Sequence, residues 1–279
     1  MPIIDFHTHA FPDTLAPRAV AQLTINAAAS GYTPRTDGTV GGLLASMDAA
    51  GIDRSVICNI ATNPRQVTKV NDFAISTANR YSRLIPLGSL HPELSETEMD
   101  KELDRLQNAG IVGIKLHPDY VGMDLDSPAF TPILARCAAR NILVVTHAGF
   151  DPVSPDHMHC TPDRIRRVID DHPNLHLVVA HTGGFDCERE VLDQLCGTKV
   201  YLDTSLAALR RTASTMQGAL CVEILHTHDP SRILFATDTP WSDPSAEIAF
   251  VRSAGLSAGD TDAILGGNAE RLLASCMHK

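Results

Sequence analysis

Eight short apolar runs, most of them rich in β-branched residues, are spread along the 279-residue chain, and a helical pattern follows each one. They cover residues 3–7, 55–60, 84–90, 111–116, 142–146, 175–180, 199–203 and 233–237. Several ("ILVVT", "LHLVVA", "RILFAT") are apolar on both faces, which is the pattern of parallel strands covered on both sides. In the second half the runs recur every roughly 25–35 residues, enough for a strand, a helix and two loops. Helix punctuation falls between them. Ser95-Glu96-Thr97-Glu98 is a capping box, with Gly110 as the stop of the same helix. Thr161-Pro162 and Ser127-Pro128 read as helix starts, and Gly51 as a helix stop. Eight such units predict an α/β fold, a TIM-like (β/α)8 barrel, with one domain over residues 1–279. A doubly wound sheet would favour a Gly-rich phosphate loop after an early strand, and none follows the first run.

A barrel of this kind builds its active site at the C-terminal ends of its strands. The first run ends in "DFHTH". Residues two apart in a strand share a face, so Asp5, His7 and His9 lie together and two imidazoles can grip one cation. An isolated His-x-His is as readily a hydrogen-bonded pair in a turn. Other strand ends change that balance: "VVTHAG" ends at His147, "VVAHTGG" at His181 and "LFATDTPW" at Asp238. Nitrogen donors with a carboxylate suit a divalent metal, Zn²⁺ first, with Mn²⁺ or Fe²⁺ also accommodated.

These motifs, together with "GIKLHP" and "GGNAERLL", resemble the amidohydrolase superfamily, and more narrowly the amidohydrolase-2 group that includes aminocarboxymuconate semialdehyde decarboxylase. The resemblance runs over nearly the whole chain. It implies His7, His9, His147 and Asp238 as metal ligands, Asp238 also as proton acceptor from a metal-bound water, and His181 as the catalytic histidine. One metal per chain is expected rather than two. Lys115 is the open position: it could bridge two metals as a carboxylated lysine, bind a substrate carboxylate, or pair with an internal acid such as Asp5. His117 and His91, each followed by proline, could line the pocket or make a structural hydrogen bond. Arg65 could meet an anionic substrate, or be a surface arginine at a helix start. His157, in the loop "GFDPVSPDHMHCTP", could touch substrate or hold a second metal with His159 and Cys160, although a proline-rich loop near the mouth is the plainer reading. Trp241 is expected to wall the pocket.

Three functions follow in order. The first is hydrolysis of a small amide, lactone or ester-like substrate by a metal-activated water. The second is non-oxidative decarboxylation of an aromatic or unsaturated carboxylate, which needs a cation for the carboxylate, with Arg65 and Lys115 as candidates. The third is a non-catalytic barrel with a structural metal, against which His181 argues because four ligands already close such a site. Composition excludes other classes. Net charge is −10, with no basic stripe for nucleic acid, and Arg166-Arg167 and Arg210-Arg211 read as solvated helix faces. No apolar run is long enough to span a bilayer, and no signal peptide is expected. Seven scattered cysteines without a CxxC pair suggest free thiols and a cytoplasmic location. The expected partner is a small molecule, and exterior helices leave room for a homodimer.

Overall fold

The computed structural model describes residues 1–28 and 33–277. All eight expected strands are present: β1 Ile4–Thr8, β2 Arg54–Cys58, β3 Leu84–Ser89, β4 Gly113–Leu116, β5 Leu143–Thr146, β6 Leu177–Val179, β7 Tyr201–Asp203 and β8 Ile233–Leu234. They pair in parallel, in chain order. The seam between β8 and β1 is drawn together by the Phe6 N–H donating to the Phe235 carbonyl at 2.9 Å, and by the Asp238 N–H donating to the His7 carbonyl at 2.8 Å. The fold is a (β/α)8 barrel.

Thirteen α-helices are found among the described residues: α1 Ala16–Asn26, α2 Val40–Ala50, α3 Val67–Arg80, α4 Glu96–Asn108, α5 Pro118–Val121, α6 Thr131–Ala139, α7 Pro162–Asp171, α8 Glu188–Gln194, α9 Ala207–Ala213, α10 Thr215–Thr227, α11 Pro244–Ser253, α12 Ala258–Asp262 and α13 Asn268–Cys276. The capping box forms as read: the Glu98 N–H donates to Ser95 Oγ and the Ser95 N–H to Glu98 Oε2. Gly51 ends α2 in the left-handed region, at φ 70°. Ser127-Pro128 is different. Its residues make a turn, and α6 begins only at Thr131 with Pro132 in its first turn, so the second proline sets the start.

Alternation along each strand divides the core. Val144, Leu177 and Val179 pack toward α4, α6 and α7 through Leu103, Ile133 and Ile165. Ile57, Ile233 and Phe235 pack with residues of α2 and α11. A third cluster joins Val56, Leu87, Leu143, Val145 and Val178 with Ile4, Phe6 and α13. Each fully buried aliphatic side chain of this kind stabilises by about 1.5–3 kcal/mol relative to exposure. Gly266, in the "GGNAERLL" segment, sits directly under β1: a Cβ there would lie 1.9 Å from the Pro2 carbonyl oxygen. Only glycine lets this segment approach the start of the first strand. All seven cysteines are free and six are buried. No helix among the described residues is long and apolar enough to cross a membrane.

Candidate metal centre and active site

The strand ends open into a cavity of about 700 Å³. His7, His9, Lys115, His117, His147, His181, Asp238 and Trp241 all line it. Its other walls are largely apolar, with Phe11, Phe73, Tyr120, Phe150 and Phe185.

At the floor, His7, His9 and Asp238 present ligand atoms within 4.8 Å of one another. His9 Nε2 lies 3.0 Å and His7 Nε2 3.7 Å from Asp238 Oδ1. The opposite nitrogens are occupied: His7 Nδ1 contacts Asp203 Oδ2 at 2.9 Å, and His9 Nδ1 the Cys58 carbonyl at 3.0 Å. Partners of this type fix the tautomer, so that both Nε2 lone pairs face the carboxylate. Burial, aided by the neighbouring Lys115 charge, pushes the His7 pKa well below its ordinary value. A neutral imidazole is the form that binds a metal. The donor set therefore fits a divalent cation.

His147, expected as the fourth ligand, groups instead with His117 and Asp151. Its ring stacks on His117 at 4.2 Å, and its Nε2 lies 3.9 Å from Asp119 Oδ2 and 4.0 Å from Asp151 Oδ2. That Nε2 and Asp119 Oδ2 are buried without a hydrogen-bond partner. On its other edge, His147 Nδ1 lies 3.1 Å from His181 Nε2. Desolvation lowers the pKa of both histidines, and their mutual repulsion lowers it further for His181. Asp151 is held well below the usual carboxylate range by hydrogen bonding and charge attraction to His117, despite its burial.

Lys115 is 1% exposed, and its Nζ lies 3.2 Å from His7 Nε2. It does not pair with Asp5, whose carboxylate is taken by the Thr237 hydroxyl at 2.6 Å and by the Thr237 and His7 amides. Burial raises Asp5 to about 7.

Asp203 and Ser205, which no strand-end motif announced, tie the site together. Asp203 accepts from His7 Nδ1, from the His181 amide at 3.0 Å and from Ser205. Ser205 Oγ also meets His181 Nδ1 at 2.8 Å. One carboxylate at the end of β7 thus orients two site histidines. The signal available in the sequence was its place: "YLDTS" is an apolar run ending in an acid, like the run before Asp238.

His181 and Thr182 sit at φ 60° and 58°, in a turn that glycine favours. Arg210 secures it from behind. Its Nη1 donates to the His181 carbonyl at 3.0 Å and to Glu188 at 3.1 Å, its Nη2 donates to the Thr182 hydroxyl, and its guanidinium lies over Phe185. The expectation of a solvated face fails here, because α9 turns Arg210 inward to 1% exposure. Arg211's side chain is outside the described residues. Arg166 and Arg167 are exposed as expected.

At two further positions the structure agrees with the plainer of the expected alternatives, a surface arginine at a helix start and a loop residue outside the pocket. Arg65 is exposed in the short 3-10 turn Pro64–Gln66 and lies outside the cavity lining, where Gln66 and Lys69 stand instead. The turn aims Arg65 away. His157 is also off the lining, with a side chain 53% exposed. It shares Asp124 with His159 and Arg164, each at 2.9 Å, so a cation already neutralises that carboxylate. Cys160 is buried and contacts Thr146. His91 accepts a hydrogen bond from the Glu93 amide and is structural.

No curated protein matches the chain. Among solved structures, an uncharacterised TIM-barrel protein from Bordetella bronchiseptica superposes with TM-score 0.72 at 21% identity, over 99% of both chains. The 2,6-dihydroxybenzoate decarboxylase from Rhizobium gives 0.68 at 16%, over 98% of this chain and 99% of that one. The 5-carboxyvanillate decarboxylase from Novosphingobium aromaticivorans, solved with manganese and 4-hydroxy-3-methoxy-5-nitrobenzoic acid, gives 0.67 at 17%, over 98% and 96%. These likenesses establish the shared barrel. The sequence model of the Amidohydro_2 family, described as amidohydrolase, matches residues 4–274. The chain is an enzyme, and it belongs to the amidohydrolase family.

Proposed function

We propose that the enzyme is a metal-dependent non-oxidative decarboxylase of an aromatic or similarly unsaturated carboxylate. This reverses the order in which the sequence ranked hydrolysis and decarboxylation. The observation that carries it is the cavity itself: aromatic walls of Phe11, Phe73, Phe150, Phe185 and Trp241 above a floor of His7, His9, Lys115 and Asp238. Such walls accept a flat apolar body and exclude water, and the floor accepts its carboxylate. Two decarboxylases of substituted benzoates among the structural neighbours agree with this reading.

In the proposed site His7, His9 and Asp238 would hold the ion, and His147 would join them on rotation of its ring. When bound, the ion supplies a positive charge that fixes the anionic substrate. Zn²⁺ or Mn²⁺ suits this donor set. Lys115 adds a second positive charge beside His7. Asp238 would take a proton from solvent as the anionic substrate binds and deliver it to the ring carbon that bears the carboxylate. As the new C–H bond forms, the bond to the carboxylate breaks, carbon dioxide leaves, and its electron pair restores the unsaturated system. His181, oriented by Ser205 and Asp203, supports the developing charge through Nε2. The test is carbon dioxide release from a panel of hydroxybenzoates and muconate-type acids by protein loaded with Mn²⁺ or Zn²⁺. Release supports the proposal, and turnover of lactones or amides without any release refutes it.

One observation favours the second reading, hydrolysis. His147 Nδ1 and His181 Nε2 approach to 3.1 Å, on the floor that also carries Lys115. If His147 carries its proton on Nε2, toward Asp119 and Asp151, two lone pairs face each other and call for a cation between them. A second ion there, with Lys115 carboxylated, would suit water activation. Metal analysis at about two ions per chain, falling when Lys115 is replaced by alanine, would favour it.

A further inference from the structure

Two helices that line the cavity carry charges the proposed reaction does not use. Leu15, just before α1, and Arg18, Ala19 and Gln22 on it line the cavity at helical spacing, as do Lys69 and Phe73 on α3. This lining is mixed. Its apolar part includes Leu15, 44% exposed although it lines a cavity, and its cations are Arg18 and Lys69. Both cations are exposed, and neither has a carboxylate partner among the described residues. The carboxylates that line the cavity, Asp151 and Asp238, are both engaged with histidines. In a chain of net charge −10, an incoming anion meets overall repulsion, and two unpartnered cations on the cavity lining offset it.

We propose that the substrate has two anionic ends, the reacting carboxylate at the floor and a second carboxylate or phosphate met by Arg18 and Lys69, joined by an apolar body along α1 and α3. The proposal rests on the decarboxylase reading for the reacting end only.

The test compares 2-hydroxy-4-(ω-carboxyalkyl)benzoates with 2-hydroxy-4-alkylbenzoates of matched length. Binding to Mn²⁺-loaded protein is followed by calorimetry, and carbon dioxide release is measured separately. Two exposed charge contacts predict roughly two- to thirty-fold tighter binding of the dicarboxylate, shrinking at high salt. The Arg18→Gln/Lys69→Gln variant should bring the two acids to the same affinity. Equal affinity in the wild type, or a preference that survives in the double variant, overturns the proposal. A preference without carbon dioxide release overturns decarboxylation and leaves the two-anion substrate standing. Release without a preference does the reverse, and failure of both acids to bind overturns both.

Discussion

Replacing Arg210 with methionine separates what the buried arginine does for stability from what it does for the site. Arg210 and Glu188 are 1% and 4% exposed and lie 3.1 Å apart. Removing the cation leaves a buried carboxylate uncompensated, which costs about 3–5 kcal/mol. At roughly 2.1 cal/mol/K per residue, the unfolding entropy of a chain this long is about 0.6 kcal/mol per degree. The melting temperature should therefore fall by roughly 5–8 °C. Burial already raises the Glu188 pKa while Arg210 opposes it, so the arginine's loss allows protonation. The deficit should accordingly narrow at pH 5 relative to pH 8. Replacing Glu188 with leucine as well should restore most of the stability, because a packed apolar pair often matches a buried ion pair. Activity should stay low in this double variant, since the His181 carbonyl and Thr182 hydroxyl have still lost their donor. Calorimetric or circular-dichroism melts of the wild type, both single variants and the double variant measure the cycle. A loss under about 1 kcal/mol in Arg210→Met, or a double variant no more stable than that single, would refute the reasoning.

Asp203→Asn should weaken metal binding about 10–100-fold by releasing His7 from its partner, as read by titration against a competing chelator. An unchanged affinity would count against the relay. In metal-free protein, His7, His147 and His181 have folded-state pKa values below the unfolded value of 6.5. The unfolded chain then binds more protons, so stability should be full above pH 6.5 and fall as pH drops below it, by at most about 1.4 kcal/mol per unit for each histidine. Urea midpoints at pH 7.5 and 5.5 check this, and a flat profile would contradict the assigned burial. Gly149→Ala should destabilise by at least about 2 kcal/mol, because φ is +83° and a Cβ would lie 2.1 Å from the Phe185 carbonyl oxygen. A near-wild-type melt would show that the loop after β5 can move aside.

The barrel was legible because its strands are apolar on both faces and its helices carry caps. Runs such as "ILVVT" have few other uses, and the capping box at Ser95 formed as read. Strand ends gave His7, His9, His147, His181 and Asp238 a common cavity for the same reason: in this fold position along the chain translates directly into height in the barrel. What escaped was orientation. Periodicity says that Arg210 lies on a helix but not which side of α9 meets the β6 turn, and a buried counter-charge at Glu188 is invisible before the chain folds. Arg65 and Lys69 are four residues apart, yet a 3-10 turn sends one outward while α3 puts the other on the cavity wall. His147 reached the expected strand end, but stacking on His117 decided which way its nitrogens point.

The seam has a consequence for the order of events during synthesis. His7 leaves the ribosome 231 residues ahead of Asp238. The amide of Asp238 donates to the carbonyl of His7, so the two are set side by side by the contact that joins the last strand to the first. Contacts of such long sequence separation form late. A nascent chain thus offers His7 and His9 as a loose pair, and the tight three-residue grip arises only on closure. Ion capture would serve as a chemical report of a finished ring, and a protein truncated before its last strand would remain unable to load.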